Sequence, residues 1–231
     1  MKRETLQAIS ASRRAGHAIV RATDLETGDD VLIDPATDVS ALGQAASGAA
    51  RADTSGPAQI DGRSWFLSVY NPPLDLVIIG AVHIAQPLVA MARETGYGVR
   101  IIDPRTAFAT PARFPDAALS HDWPDEALVK TPLGPRSAIV FLSHDPKIDD
   151  PGLIAALKSD CFYIGTLGSK KTQAARTARM KAAGFDDTAL ARIHGPVGLD
   201  IGARSPAEIA VSILAEMTLV LRGGKRDRTQ S

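Results

Sequence analysis

Cysteine is almost absent from this sequence, which has a single one, Cys161, in 231 residues. One cysteine cannot form an internal disulfide or supply a cysteine-rich zinc site. No apolar run approaches the roughly 20 residues that span a bilayer, and residues 1–5 lead into a polar stretch with no apolar signal-peptide core. These absences predict a protein of the reducing cytoplasm with no membrane partner.

The sequence also lacks an excess of charge of either sign. Its 26 basic residues balance 26 acidic ones, so that the formal net charge is zero. A neutral chain has no overall field that would attract nucleic acid or an anionic membrane surface. With 45% hydrophobic residues the chain can bury a large core. We therefore expect a globular protein that does not bind nucleic acid.

Residues 1–71 are only weakly patterned and predict a small α+β domain. Residues 64–70 alternate as a half-buried strand does, with Trp65 and Leu67 on one face and Phe66 on the other. The other predicted elements are a helix at 4–15, a hairpin-like pair at 18–23 and 31–33, and an alanine-rich helix at 39–51. The break Asn71-Pro72-Pro73 marks the boundary, because consecutive prolines cannot join a central strand or a helix.

From residue 72 the pattern changes to solid apolar runs, as in strands that are buried on both faces of a parallel sheet. The runs cover 74–79, 98–103, 137–143 and 161–167, and helical segments follow to about 94 and at 125–130, 153–160 and 170–183. This alternation predicts an α/β fold, a Rossmann-like doubly wound parallel sheet over 72–224. The last helix should begin at a capping box, Ser205 to Glu208, and end at Gly223. Residues 225–231 are predicted to be a flexible tail.

The turn after the first apolar run begins like a dinucleotide-binding turn and then departs from it. The pattern G-x-G-x-x-G needs a second glycine so that the backbone can approach a pyrophosphate. Here Gly80 is kept, but Val82 and Ala85 replace the other two glycines. Asp103 follows at the spacing of the acid that holds a ribose hydroxyl. Ordinary NAD(P) binding is therefore disfavoured, and two interpretations stay open: a retained nucleotide contact, or a sheet that has lost its dinucleotide.

Two further strand ends carry polar residues where open α/β sheets bind ligands. His144 and Asp145 follow the run at 137–143, although Asp145 could simply begin a turn and His144 could be solvated. Gly168, Ser169 and Lys170 lead from the run at 161–167 into a helix, whose N-terminus would attract a phosphate. The alternative for the lysines is a solvated basic helix face that continues through Arg176, Arg179 and Lys181.

A glycine-dense loop, residues 194–204, precedes the last helix. It contains Gly198, Asp200 and Arg204, and a long ordered loop inside a compact domain is more often functional than not. A purely structural loop that caps the sheet is the alternative. Cys161 is expected to be a small buried apolar residue. No hydrolase motif is present, and no metal ligands can be assigned.

Six stretches carry a family resemblance, and all lie between about residue 72 and residue 222, a region of roughly two thirds of the chain. They read VIIGAVHIAQPL (77–88), IIDPR (101–105), RFPDA (113–117), LSHDPKID (142–149), YIGTLGSKKT (163–172) and IHGPVGLDIGARSPAEIAVSILAE (193–216). In these stretches the chain resembles the XdhC/CoxI family of molybdoenzyme accessory proteins. His83, Gln86 and Arg105 match the family pattern and are added to the candidate cleft residues.

The resemblance implies a Rossmann-like domain joined to a smaller N-terminal one, commonly in a homodimer. It implies a maturation factor rather than an enzyme, which binds molybdenum cofactor (molybdopterin or its dinucleotide form) and supports its sulfuration. The partners implied are a xanthine-dehydrogenase-like or CO-dehydrogenase-like molybdenum hydroxylase apoenzyme and a sulfurtransferase. Such a cofactor is an anionic pterin phosphate, which suits a cleft edged by lysines.

Two departures from the family pattern leave alternatives open. The family turn usually reads G-A-G-H, whereas this one has Val82, and residues 1–70 lack the cysteine that family members often carry. The alternatives are an NAD(P)-binding oxidoreductase, and a non-binding scaffold that works with a complete family member.

Overall fold

The computed structural model describes residues 3–223, and the chain divides into two compact units between Pro73 and Leu74. The division falls at the predicted proline break. No helix of the described residues has the length and apolar character needed to cross a membrane. The predicted tail, residues 225–231, lies outside the described residues.

The N-terminal unit is a four-stranded antiparallel sheet with two helices, which confirms the predicted α+β character. The strands are β1 (Ile19–Asp24), β2 (Asp30–Ile33), β3 (Gly56–Ile60) and β4 (Arg63–Tyr70), in the order β2-β1-β4-β3, and the helices are α1 (Arg3–Arg14) and α2 (Ala41–Ala52). Leu67 is buried against Val20 and Ala46, whereas Phe66 is exposed, as the alternation predicted. Sequence reasoning missed β3, in which only alternate residues are partly buried.

The C-terminal unit is a six-stranded, wholly parallel sheet, which confirms the Rossmann-like prediction. Its strands are β5 (Leu74–Ile79), β6 (Tyr97–Ile102), β7 (Ala118–Ser120), β8 (Ser137–Phe141), β9 (Tyr163–Thr166) and β10 (Ile193–His194), in the order β10-β9-β8-β5-β6-β7. The helices are α3 (Ala85–Glu94), α4 (Pro124–Lys130), α5 (Pro146–Lys158), α6 (Lys170–Ala182), α7 (Asp187–Leu190) and α8 (Pro206–Arg222). The short edge strands β7 and β10 were not predicted, because two or three residues are too few to form an apolar run.

Helices cover both faces of this sheet, so successive strand residues enter different cores. Leu76 and Ile78 pack in one core with residues of α3 and α8. Val77 and Ile79 pack in the other with residues of α4, α5, α6 and α7. Because both faces are buried, the strands need apolar residues at every position, which is why they stand out in the sequence.

The structure corrects the predicted start of helix α5 and confirms that of helix α8. Helix α5 begins at Pro146, seven residues before the predicted start, because Asp145 caps it and proline is favoured in the first turn. Pro151 lies inside the same helix, and these two prolines hid its first half. The capping box of α8 forms as predicted between Ser205 and Glu208.

Candidate functional site

The carboxyl ends of β5 and β8 meet at the point where the strand order reverses. From β5 the chain proceeds to β6 on one side and later returns to β8 on the other, and open α/β sheets bind ligands at such a point. Gly80 has φ +99° there, and a Cβ on it would lie 2.8 Å from the Ser143 nitrogen. Gly80 is therefore required by the close approach of the two strand-end loops to each other.

Asp103, at the end of β6, is buried and fixes the turn after β5. Its Oδ2 accepts a hydrogen bond from the Ala81 nitrogen at 2.8 Å. The Arg105 side chain donates to both carboxylate oxygens, from Nε at 2.9 Å and from Nη2 at 2.8 Å. Burial raises the pKa of Asp103, but the hydrogen bonds from Arg105 and Ala81 outweigh burial and hold that pKa below its usual value. The predicted ribose acid is thus an ionised group whose oxygens already bind protein donors.

Arg113 holds the same turn from the opposite side and was not among the predicted site residues. Its Nη1 donates to the Ala81 carbonyl at 2.9 Å and to the Phe108 carbonyl at 2.6 Å. Arg113 begins the RFPDA stretch that carried part of the family resemblance. That stretch was the available signal, but only the folded chain brings Arg113 to residue 81.

Beneath the loop after β8 lies a buried ion pair. Ser143 Oγ donates to Asp149 Oδ1 at 2.5 Å, and Asp149 Oδ2 lies 3.7 Å from Arg176 Nη2. Arg176 also donates to the Leu167 carbonyl at 3.2 Å, which links the ends of β8 and β9. Burial raises the pKa of Asp149 and lowers that of Arg176. Arg176 therefore does not belong to a solvated basic face, and that interpretation of residue 176 was wrong.

His144 and Asp145 lie above this pair at the surface. His144 is exposed with φ +62°. Asp145 accepts from the Lys147 nitrogen at 2.9 Å and so caps α5. The turn-forming role weighed for Asp145 is present, and this contact leaves its second carboxylate oxygen for another partner.

The N-terminus of α6 presents two cations that no carboxylate neutralises within residues 3–223. Ser169 caps the helix by accepting from the Thr172 nitrogen at 3.2 Å. Lys170 and Lys171 are exposed, and neither forms an ion pair in the described part of the chain. Farther along α6 the cations are paired, as with Lys181 and Asp187 at 2.7 Å. The first turn of a helix also has backbone N–H groups without intrahelical acceptors, so this end of α6 favours an anion.

The glycine-dense loop is anchored to α8 through a buried carboxylate. Glu216 Oε2 accepts from the Tyr163 hydroxyl at 2.7 Å and from the Gly198 nitrogen at 2.9 Å. His194 Nδ1 lies 3.4 Å from Glu216 Oε1, and its ring stacks on Tyr163 at 4.7 Å. Burial raises the pKa of Glu216, but the hydrogen bonds from His194, Tyr163 and Gly198 outweigh it and lower that pKa to about 2. Sequence reasoning missed Glu216, because its partners lie on other elements.

The remaining predicted residues are at the surface. His83, Gln86, Asp200 and Arg204 are all exposed. The Arg204 backbone nitrogen donates to Glu208 at 2.8 Å. The structure thus brings residues 80, 103, 105, 144 and 145 together at the β5, β6 and β8 ends. A contact of Asp200 or Arg204 with the α6 N-terminus stays a prediction.

Cys161 is buried, and it precedes β9 at the amino edge of the sheet. Burial raises the pKa of its thiol. The described residues contain no group of three or more His, Cys, Asp or Glu side chains placed to hold a metal ion.

Comparison with known proteins gives a consistent result. Residues 76–217 match the family model described as the XdhC Rossmann domain. The chain is 33% identical over 153 residues to a Bacillus subtilis (strain 168) protein whose name describes a probable xanthine dehydrogenase subunit, covering 66% of this chain and 44% of that protein. It is 30% identical over 151 residues to the Escherichia coli (strain K12) protein named "Molybdenum cofactor insertion chaperone PaoD", covering 65% of this chain and 41% of that protein.

Among solved structures, one described as a xanthine dehydrogenase from Bacillus halodurans aligns with 99% of this chain and 66% of its own, with a TM-score of 0.68 and 26% identity. The chain spans less than half the length of the two curated relatives named above. The family match covers more than half of the chain and includes the strand ends described above. The chain belongs to the XdhC family.

Proposed function

We propose that this protein is a maturation factor rather than an enzyme. It binds molybdenum cofactor at the carboxyl edge of the parallel sheet, supports sulfuration of the cofactor, and delivers it to a xanthine-dehydrogenase-like or CO-dehydrogenase-like molybdenum hydroxylase. Family membership and the relative named as a molybdenum cofactor insertion chaperone support this role. The molybdenum is part of the cargo, so the protein needs no metal ligands of its own to carry it.

The observation that carries the proposal is the pair of unneutralised lysines at the start of α6. The cofactor, as molybdopterin or its dinucleotide form, contains phosphate. Lys170 and Lys171 are exposed, lack ion-pair partners within residues 3–223 and flank free backbone N–H groups of the first helical turn. A phosphate there would gain both the helix dipole and a charge-assisted contact.

The other candidate residues at the strand ends support anion binding less directly than the two lysines do. Arg105 supplies a guanidinium group, one edge of which is paired with Asp103. His144 is an exposed donor at the end of β8. Three of the candidate glycines allow neighbouring segments of the chain to approach closely. An added Cβ atom would meet Ser143 at Gly80, Thr172 at Gly168 and Ser212 at Gly198.

We propose that the sulfur for sulfuration of the cofactor comes from a partner protein. The only cysteine of this sequence is buried, at the amino edge of the sheet, and burial raises the pKa of its thiol. A sulfur-carrying cysteine has to be an accessible thiolate, so Cys161 is unsuited to that step. We propose that the protein presents the cofactor to a sulfurtransferase.

The alternative of an NAD(P)-dependent oxidoreductase has less support. Val82 stands where a pyrophosphate-binding turn has glycine. The carboxylate oxygens of Asp103 accept hydrogen bonds from Arg105 and Ala81, in place of the ribose hydroxyl that such an acid would bind. A cytoplasmic location and a homodimer complete the proposal, on the strength of the family resemblance.

The test is cofactor retention after expression in cells that make molybdenum cofactor. Bound pterin is released, oxidised to its fluorescent form and quantified per mole of protein for the unaltered chain, Lys170→Ala and Arg204→Ala. Loss of a charge-assisted contact, about 1.5–3 kcal/mol, predicts affinity weaker by about one to two orders of magnitude for Lys170→Ala, while the helix dipole and the backbone N–H groups of α6 stay in place. The melting temperature should stay unchanged, because an exposed lysine packs no core.

Lys158→Ala is the matched control. Lys158 is also an exposed helical lysine, but it ends α5 at the opposite edge of the sheet, so its loss should leave retention unchanged. Equal retention by all variants would place the cofactor elsewhere, and absence of cofactor from the unaltered chain would favour the scaffold alternative.

A further inference from the structure

Two exposed aromatic side chains of the C-terminal unit follow the carboxyl ends of neighbouring strands. Within residues 74–223 the exposed phenylalanine and tryptophan side chains are Phe108, 42% exposed, and Trp123, 45% exposed. Phe108 follows β6 and Trp123 follows β7, so both come after the carboxyl ends of neighbouring strands. His121 is also exposed and its Nδ1 lies 3.3 Å from the Asp103 carbonyl oxygen. In a chain with only 5% aromatic residues, this edge of the sheet is distinctive.

The guanidinium group of Arg105 is held rigidly beside Phe108. Two of its nitrogens bind the buried carboxylate of Asp103, and its Cζ lies 4.5 Å from the centre of the Phe108 ring. The Phe108 nitrogen donates to the Arg105 carbonyl at 2.9 Å, and Arg113 holds the Phe108 carbonyl. The third guanidinium nitrogen, Nη1 of Arg105, makes no hydrogen bond within residues 3–223. A planar cation and an aromatic ring are thus fixed at the surface, and both N–H groups of Nη1 are unused within residues 3–223.

We propose that Arg105 and Phe108 form a stacking subsite for the planar heteroaromatic ring of a phosphate-bearing ligand. The subsite rests on the proposed function and specifies where the ring of the ligand binds. Guanidinium groups and aromatic side chains both stack on flat heterocycles. In such folds nucleotides bind across the carboxyl ends of the strands at the switch point, which here is flanked by β5, β6 and β8. The N-terminus of α6 lies beyond β9, on the other side of the switch point from β6, so a ligand whose phosphate binds at Lys170 would extend across the strand ends to Arg105.

A stacking role for Arg105 also accounts for the contacts of Asp103. In a dinucleotide-binding fold the acid at this position would bind a ribose, whereas Asp103 is buried and engaged with Arg105. The carboxylate therefore acts as a positioning residue that orients the stacking guanidinium group. The ring itself has two possible sources, a nucleobase of a nucleotide-extended cofactor or its pterin, and both share the required planarity.

The test measures binding of ring-containing and ringless ligands to the full chain. Calorimetry with CMP, GMP, neopterin monophosphate and inorganic phosphate is performed on the unaltered protein and on Phe108→Leu and Phe108→Tyr. Leucine keeps the apolar volume but removes the aromatic face, so Phe108→Leu should weaken binding of the favoured ring ligand by roughly tenfold. Phe108→Tyr should restore it, and inorganic phosphate should bind all three equally.

Two further measurements locate the effect. In a Trp65→Phe background Trp123 is the single tryptophan of the chain, and its fluorescence should change with the ring ligand and not with phosphate. Phe66 is an exposed phenylalanine on β4 of the N-terminal unit, and the control variant Phe66→Leu should bind these ligands like the unaltered protein. Nucleotide binding without binding of neopterin monophosphate identifies a nucleobase subsite, and the reverse identifies a pterin subsite.

The proposal is overturned if Phe108→Leu binds every ligand as Phe66→Leu does, or if no ring ligand binds. Cofactor retention that is lost in Lys170→Ala but kept in Phe108→Leu would leave the proposed function standing and remove only the stacking subsite.

Discussion

Replacing the buried carboxylate of Glu216 by an amide tests how the glycine-dense loop is held. The carboxylate accepts from Tyr163 and Gly198 and lies next to His194. In Glu216→Gln the side chain keeps its shape but loses its charge, and its NH₂ group faces donors in place of an acceptor oxygen. We therefore expect a less stable C-terminal unit whose glycine-dense loop is loosened.

The size of the effect follows from the pKa of Glu216, which is lowered from 4.5 to about 2. A depression of this size corresponds to about 3 kcal/mol of stability. Because the folded-state pKa lies below the unfolded one, this contribution is complete above about pH 5 and is lost as the pH falls toward 2. At pH 3 only about 1 kcal/mol should remain.

The assay is urea unfolding of the unaltered protein and of Glu216→Gln at a series of pH values from 7 to 3. The difference in free energy of unfolding should be about 3 kcal/mol at pH 7, or roughly 10 °C in melting temperature, and should shrink to about 1 kcal/mol at pH 3. Glu94→Gln, an exposed carboxylate at the end of α3, is the control and should change little. A difference that does not depend on pH would refute the hydrogen-bonded, ionised carboxylate.

Three other changes test the turns and caps. Gly80→Ala should destabilise the protein by at least about 2 kcal/mol in urea unfolding, because φ is +99° and the new Cβ would meet the Ser143 backbone; an unchanged midpoint would contradict the close approach. Val82→Gly should strengthen nucleotide binding in calorimetry, from an unaltered protein that binds NAD weakly; tight NAD binding by the unaltered protein would show that Val82 does not impair the turn. Ser205→Ala removes the cap that accepts from the Glu208 nitrogen and should lower the free energy of unfolding by about 1 kcal/mol; thermal melting provides the check.

Much of the C-terminal fold could be predicted from the sequence because the buried strands appear in it as apolar runs. Strands β5, β6, β8 and β9 are covered on both faces, so each stands out as a nearly unbroken apolar run. The capping box of α8 is likewise a local signal, since its hydrogen bonds join residues three apart. Strands β7 and β10 escaped prediction because they are too short to carry a pattern.

The sequence predicted which strand ends carry the candidate site residues, but not the hydrogen bonds and ion pairs among them. A strand end followed by a helix start indicates where ligands bind, which pointed to residues 80, 144 and 168–170. Charge pairing is not local: Arg176 looked like one of several surface cations, yet it is buried against Asp149, whereas Lys170 is exposed without an ion-pair partner within residues 3–223. Only the fold distinguishes them.

The sequence by itself determined the family and the parallel sheet and predicted the edge at which a ligand would bind, because apolar runs, glycines and caps act over a few neighbouring residues. The tertiary structure decided which polar groups remain available. Asp103 is bound to Arg105 and Ala81, and Glu216 is bound to Tyr163 and Gly198, 53 and 18 residues away along the chain. Hydrogen bonds and ion pairs depend on distances in space, and those distances exist only after the strands have been placed side by side.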